Sequence, residues 1–242
     1  MSLLRVAERR EAPLGAERAA HRPRRRDPRW RRWGRRGRWR LLLRWGVRLP
    51  QLAGLAERLA SALAIREPER VVRPEARRAA IAVVVSRDDN PALVFIRRKV
   101  RQGDPWSGQM ALPGGFQAAN GEPLATTAAR ETLEETGLDL AGCGRLLGVL
   151  DDLSPRTPQL PPIIVSPHVF AVGARALLVP GDEADEALWL PARDIFDPAN
   201  RTTFALPFPG GERAFSAIEV GTHLVWGMTE RILLQVAAIA GA

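Results

Sequence analysis

Between Gly114 and Leu138 the chain reads GGFQAANGEPLATTAARETLEETGL, and the second half of that stretch crowds three glutamates together. A helix from Pro123 to Thr136 sets Glu131 three and four residues ahead of Glu134 and Glu135. Those spacings put all three carboxylates on adjoining parts of one helical face. Like charges so close repel, by about a few tenths of a kcal/mol at a solvated surface and by more when partly buried. A multivalent cation is the natural counterweight, and all-oxygen donors point to Mg²⁺ or Mn²⁺ rather than zinc. The competing interpretation is a solvated acidic face, which the E-x-x-E-E pattern alone leaves equally open. The surroundings favour the metal. Pro113-Gly114-Gly115 forms a turn ahead of the helix, Arg130 sits beside the acids, and Gly137 supplies a stop signal. A loop of small residues lets the backbone approach an anion or offer a carbonyl to a metal.

This stretch resembles the Nudix box, a glycine loop followed by R-E-x-x-E-E-x-G and an aliphatic residue. Here the run is Arg130-Glu131-Thr132-Leu133-Glu134-Glu135-Thr136-Gly137-Leu138. There are two departures. Six residues rather than the usual five separate Gly115 from Glu122, which leaves the role of Glu122 open, and Thr132 stands where an aliphatic side chain is usual. The resemblance implies a hydrolase in which Mg²⁺ or Mn²⁺ ions bridge phosphate oxygens and acidify a water. Glu134 and Glu135 are then metal ligands, Glu131 a ligand or the base that takes the water proton, and the Gly115 carbonyl a further ligand. Arg130 would orient a box carboxylate through a charge-assisted contact.

Composition separates this domain from what precedes it. The formal charge of +9 suggests a nucleic-acid binder until it is divided along the chain. Residues 1–48 hold 17 Arg against Glu8, Glu11, Glu17 and Asp27, giving +13, and the remaining 19 basic and 23 acidic side chains give −4. The basicity belongs to the tail, whose Trp30, Trp33 and Trp39 could stack on bases or enter a membrane interface. Yet the chain has one Lys, Lys99, against 35 Arg, and no Tyr, a coding bias that makes an Arg run less informative. The preferred interpretation of 1–48 is a disordered extension or a mis-assigned start, with nucleic-acid binding by the tail not favoured. No apolar run approaches the roughly eighteen residues of a membrane span. Cys143, the single cysteine, excludes an intrachain disulfide and a multi-Cys metal site, and implies a reducing, cytoplasmic setting.

Residues 49–78 read as an amphipathic helix and a connector. Leu52, Leu55, Leu59 and Leu63 recur at helical spacing, and Pro68 and Pro74 mark the connector. The helix is expected to pack on the domain or on a second subunit of a homodimer. From residue 79 the pattern turns strand-like, with Ala80–Val85 and Ala92–Ile96 as neighbouring strands. The cationic run Arg97, Arg98, Lys99 and Arg101 follows, with Arg97 and Arg98 as candidates to hold substrate phosphates. Trp106 is left open between base stacking and the core. Arg145–Leu153 and Ile163–Val172 read as two more strands, with His168 a structural residue in the second. Gly181–Pro191 reads as an acidic loop whose Glu183 or Glu186 could complete a metal shell or act as base. His223–Ile239 reads as a C-terminal helix from Val225 onward. The order gives an α+β fold. The resemblance implies an α/β/α sandwich with a mixed sheet, a loop-helix-loop box and a closing helix, covering 79–242.

Features outside the box resemble the coenzyme A diphosphatase branch of that superfamily. Gly108-Gln109-Met110-Ala111-Leu112-Pro113-Gly114-Gly115 is similar to a Gly followed after three residues by aromatic-Pro-Gly-Gly, with Leu112 in the aromatic position. Leu147-Gly148-Val149-Leu150-Asp151 matches L-G-x-L-D, and Trp226-Gly227-Met228-Thr229 matches W-G-x-T. Phe95-Ile96-Arg97-Arg98 only loosely echoes the branch's upstream signature, and Asp104 falls where a later Arg would align. The implied reaction is hydrolysis of coenzyme A or acyl-coenzyme A to 3′,5′-ADP and 4′-phosphopantetheine or its acyl form. The alternatives are another nucleotide substrate such as ADP-ribose, NADH or an oxidised dNTP, or a nucleotide-binding regulator without turnover.

Overall fold

Strands β1 (Arg77–Ser86) and β6 (Ile163–Val172) run parallel over their whole length, from Arg77 opposite Ile163 to Ser86 opposite Val172. Both are almost continuously buried, as strands covered on two faces must be. The computed structural model describes residues 52–101, 107–155, 161–208 and 211–241. The Arg-rich extension, Asp104, Trp106 and the middle of the Pro-rich segment after residue 154 lie outside the described residues. β2 (Ala92–Arg98) meets β1 only where Val85 faces Leu93, next to their short connection. Beyond that point the two strands take other neighbours. β4 (Gly114–Phe116) pairs with β1, while β2 pairs with β3 (Met110–Ala111) and β7 (Ala184–Pro191). With β5 (Arg145–Val149) against β6, this makes a mixed sheet of seven strands.

Alternation along β1 divides the core in two. Ala80, Ala82 and Val84 pack with Val94, Ala128, Leu138, Leu140 and Phe170 beneath helices α2 (Leu124–Thr136) and α3 (Leu140–Cys143). Val83 and Val85 face the opposite way, into the larger cluster. There they meet Leu55, Leu59 and Leu63 of α1 (Leu55–Ala64), Ile195 of α4 (Ala192–Phe196), and Ile232, Leu233 and Val236 of α5 (Gly227–Ala240). The result is the expected α/β/α sandwich. No helix among the described residues is long and apolar enough to cross a membrane.

Three elements differ from the sequence expectation. Gly181–Pro191 is not all loop, because Ala184–Pro191 forms β7. Its acids conceal a strand in which Leu188 and Leu190 face the larger core and Trp189 the smaller. β8 (Arg201–Phe208), β9 (Gly211–Val220) and β10 (His223–Trp226) form a separate antiparallel sheet that no sequence pattern announced. Only Ala217, Ile218 and Val220 of β9 are buried, so the period-two signal is weak. Phe204, Phe215 and Trp226 instead cluster on one another, with ring centroids 5.0–5.9 Å apart. Finally, Val225 and Trp226 belong to β10, and the closing helix starts at Gly227, whose φ of 68° breaks the strand.

The connector ahead of β1 is pinned rather than loose. Arg66 pairs with Asp151, whose Oδ1 also accepts from the Glu69 N–H at 2.6 Å. The buried Asp152 carboxylate accepts from Arg70 Nη1 at 3.0 Å, the Val71 N–H at 3.1 Å and Ser166 Oγ at 2.5 Å. Removing such a carboxylate strands its donors. Asp152→Ala is expected to lower unfolding free energy by about 3 kcal/mol in urea denaturation. Glu75→Ala, which breaks only an exposed pair with Arg73, is expected to cost less than about 1 kcal/mol.

Candidate active site

Helix α2 opens at Pro123 without a side-chain cap and closes on Gly137, whose φ of 70° lets its N–H reach the Leu133 carbonyl at 2.9 Å. Thr127, Ala128, Thr132, Glu135 and Thr136 form its buried face. Thr132 Oγ1 donates to the Ala128 carbonyl at 2.7 Å, and Thr136 Oγ1 to the Thr132 carbonyl at 2.6 Å. A threonine is thereby satisfied where an aliphatic residue is usual. The same rotation grades the acids: Glu135 is 4% exposed, the Glu131 side chain 18% and the Glu134 side chain 57%.

The glycine turn meets this helix through backbone parity. Gly115 lies opposite Ala80 and Gly114 opposite Ile81, and bonds from the Ala82 N–H to Pro113 and from the Gln117 N–H to Arg78 fix the phase of the ladder. Gly115 is thus in a hydrogen-bonded pair, with its carbonyl directed at β1. Gly114 is in a non-hydrogen-bonded pair, so its N–H and carbonyl both leave β1 on the other side. That N–H donates to Glu135 Oε2 at 2.9 Å. The Gly114 carbonyl thus leaves β1 on the same side as that N–H, while the carbonyl of Gly115, the candidate ligand from the sequence, faces β1. A side chain at Gly114 would strike backbone, and one at Gly115 would displace the Glu131 carboxylate. A Cβ on Gly114 would sit 2.3 Å from the Ala80 carbonyl oxygen, and one on Gly115 would sit 2.3–2.5 Å from the Glu131 carboxylate.

Arg130 spans the acids. Its Nη1 donates to Glu131 Oε1 at 2.8 Å and lies 3.2 Å from both Glu134 oxygens. Its Nη2 and Nε donate to Glu122 Oε1 at 3.0 and 3.3 Å, and Nη2 also reaches the Phe116 carbonyl at 3.3 Å. Thr127 Oγ1 and the Ala118 N–H hold Glu122 in turn, at 3.0 and 3.4 Å. The additional loop residue therefore leaves Glu122 in contact with the site. Only the folded loop reveals this partnership, since eight positions separate Glu122 from Arg130.

The charges follow from these contacts. The hydrogen bonds from Arg130 hold the Glu122 carboxyl below its ordinary range, and the same contact is the main reason the Arg130 guanidinium is held more firmly protonated. Burial pushes the Glu131 carboxyl up, against the pull of Arg130 and with help from the negative charges of Glu134 and Glu183. Burial pushes Glu135 further, to about 7, with the Gly114 N–H opposing and the charge of Glu131 adding.

Glu183 arrives from the chain just before β7. The Val179 N–H donates to the Thr136 carbonyl at 2.9 Å and the Gly181 N–H to the Glu135 carbonyl at 3.1 Å, covering carbonyls that the helix end leaves unpaired. A Cβ on Gly181 would lie 1.9 Å from the Glu134 carbonyl oxygen. This docking brings the charge of Glu183 to bear on both Glu131 and Glu135. Glu183 also pairs with Arg101 at 3.3 Å, and Glu186 pairs with Arg97 at 2.8 Å. The two arginines part company as well. Arg98 acts electrostatically on Glu135, whereas Arg97 is committed to Glu186. His168 is buried, with Nδ1 3.0 Å from the Ser166 carbonyl oxygen and its pKa pushed down by burial. Cys143 is exposed, its thiol donating to the Asp139 carbonyl.

The donor set suits a hard divalent cation: three carboxylates, two of them raised by burial, beside a backbone carbonyl. As the side chains stand, no three His, Cys, Asp or Glu groups among the described residues converge on one point to hold a metal. Arg130 Nη1 lies where a cation shared by Glu131 and Glu134 would lie.

A family model described as the NUDIX domain matches residues 76–208, more than half of the chain. An uncharacterised protein of Schizosaccharomyces pombe is 35% identical over 116 residues, which are 46% of this chain and 35% of that protein. The chain thus spans about a third of that relative's length. Among solved structures, a MutT/nudix family protein from Enterococcus faecalis is 22% identical, with a TM-score of 0.46 over 78% of this chain and 70% of that one. The NUDIX domain of Shewanella oneidensis NrtR, solved in complex with ADP ribose, is 20% identical, with a TM-score of 0.41 over 56% of this chain and 84% of that one.

Glu135 makes metal-free stability depend on pH. Burial holds its folded pKa at about 7, above the ordinary carboxylate value of 4.5, so the folded state favours the protonated form. That advantage is complete below the unfolded value and is lost as pH rises through the folded one, on the order of 3 kcal/mol in all. Chelator-treated protein is expected to melt lower at about pH 8 than at about pH 5.5, and Glu135→Gln to flatten most of that difference in thermal unfolding.

Proposed function

The chain belongs to the NUDIX domain family, and from that premise we propose that it is a divalent-metal-dependent pyrophosphohydrolase whose substrate is coenzyme A or acyl-coenzyme A. The reaction class is hydrolysis of the diphosphate link in a nucleoside diphosphate derivative. The observation that supports it most is the closure of one acidic helix on a Gly-Gly turn, with Glu135 bonded to the Gly114 N–H and Glu131 packed against Gly115.

A diphosphate repels an incoming hydroxide, so attack requires its charge to be neutralised. Mg²⁺ or Mn²⁺, when bound, supplies that neutralisation and acidifies water. Glu131, Glu134 and Glu135 hold the ion, with the backbone carbonyl of the glycine turn as a further donor. Before an ion enters, Arg130 orients the box carboxylates through its fork onto Glu131, Glu134 and Glu122. The attacking water gives its proton to a carboxylate whose proton affinity is already raised. Glu131 fits that task where it is not itself a ligand, and Glu183, whose charge reaches it, is the alternative acceptor. Arg98 is the arginine on the acidic side and binds substrate phosphate there, while Arg97 braces Glu186. Water adds to one phosphorus, the bridging P–O bond breaks, and the products are 3′,5′-ADP and 4′-phosphopantetheine or its acyl form. The choice of coenzyme A is supported by three segments outside the box: Gly108 to Gly115, Leu147 to Asp151, and Trp226 to Thr229.

Product analysis of the full chain with coenzyme A, acyl-coenzyme A, ADP-ribose, NADH and oxidised dNTPs tests this directly. The expected products from coenzyme A are 3′,5′-ADP and phosphopantetheine, formed only with Mg²⁺ or Mn²⁺. Glu134→Gln, at a half-exposed position, is expected to lose about a hundredfold or more in turnover while melting like the parent chain. Cleavage of a different compound would remove coenzyme A but keep the chemistry. Tight nucleotide binding with no turnover of any compound would overturn the enzyme reading.

A further inference from the structure

Arg130 divides one guanidinium between two sets of acids. Its Nη1 serves Glu131 at 2.8 Å and both Glu134 oxygens at 3.2 Å, while Nε and Nη2 serve Glu122 at 3.3 and 3.0 Å. An ion that draws Glu131 and Glu134 oxygens to within about 2.1 Å of one centre cannot share that place with Nη1. Glu122 is not part of that conflict. Its Oε1 is fixed independently by Thr127 Oγ1 and the Ala118 N–H, on the far edge of the fork.

Resting on the assignment of Glu131 and Glu134 as metal ligands, we infer that Arg130 is a built-in stand-in for the metal, with Glu122 as the anchor onto which it withdraws. In the metal-free chain Nη1 offsets the repulsion between Glu131 and Glu134 and keeps the acidic face assembled. Metal entry displaces Nη1, while Nε and Nη2 stay on Glu122, so the side chain pivots instead of leaving. Loading is then a competition that Glu122 tilts toward the metal. Arg130 and Glu122 act here as positioning residues, since their effect on the ion passes through the shared carboxylates.

The test is Mn²⁺ affinity by titration calorimetry on chelator-treated full chain, with thermal unfolding of the same samples. Arg130→Met is expected to melt lower without metal, yet to bind Mn²⁺ about fivefold tighter, because the displaced contact is gone. Glu122→Gln is expected to bind about fivefold more weakly, because Arg130 then rests on the ligands alone. The double variant is expected to match Arg130→Met, as Glu122 works through Arg130. Should Arg130→Met not fold, Arg130→Lys decides: a single ammonium cannot bridge as the fork does, and Mn²⁺ binding tighter than the parent's supports the role. Mn²⁺ binding by the parent chain with unchanged or weaker affinity in the folded Arg130 variant overturns the stand-in role alone. No Mn²⁺ binding by the parent chain overturns the ligand assignment together with it.

Discussion

The hydrogen bond from the Gly114 N–H to the buried Glu135 carboxylate joins two parts of the chain that sequence keeps 21 residues apart. On one side it locks the phase of β4 against β1, because only a residue in a non-hydrogen-bonded pair can turn its N–H away from the ladder. On the other it fixes the rotation of α2, since the residue that reaches Gly114 must be on the helix's buried face. Once Glu135 is set, helical spacing leaves Glu131 beside Gly115 and Glu134 at the rim. The whole acidic face is thereby referenced to β1, a strand buried along most of its length.

This arrangement concentrates unfavourable charge. Burial opposes ionisation of Glu131 and Glu135, the charge of Glu131 adds to the effect on Glu135, and Glu183 repels both. The fold answers with Arg130, Arg98 and one backbone N–H, which is partial compensation. Acids held this way are matched to a strong cation and a polyanionic ligand rather than to stability. The glycines tell the same story in steric terms. Gly114, Gly115 and Gly181 each stand where a Cβ would strike either the backbone or an acid of the site.

Much of this was legible in the residues. Pro123 and Gly137 bracket α2 within one residue of its ends, and the β-branched runs gave β1, β2 and β6. What escaped has physical reasons. The acids Asp182 to Glu186 read as solvated because charge masks period two, yet Ala184–Pro191 is a strand paired along β2. β8 and β9 bury so little on either face that composition carries no alternation. The partnership of Glu122 with Arg130 and the arrival of Glu183 depend on loops folding back onto the helix, which local spacing does not encode. The parting of Arg97 from Arg98 was available in principle. Extending the strand of Ala92–Ile96 by two residues puts adjacent side chains on opposite faces.

Anomalous scattering from crystals of the full chain grown with Mn²⁺ would locate the ion. A manganese peak is expected about 2.1 to 2.3 Å from carboxylate oxygens contributed by at least two of Glu131, Glu134 and Glu135, beside the glycine turn. A peak held only by other residues, with the three glutamates bare, would contradict their assignment as metal ligands.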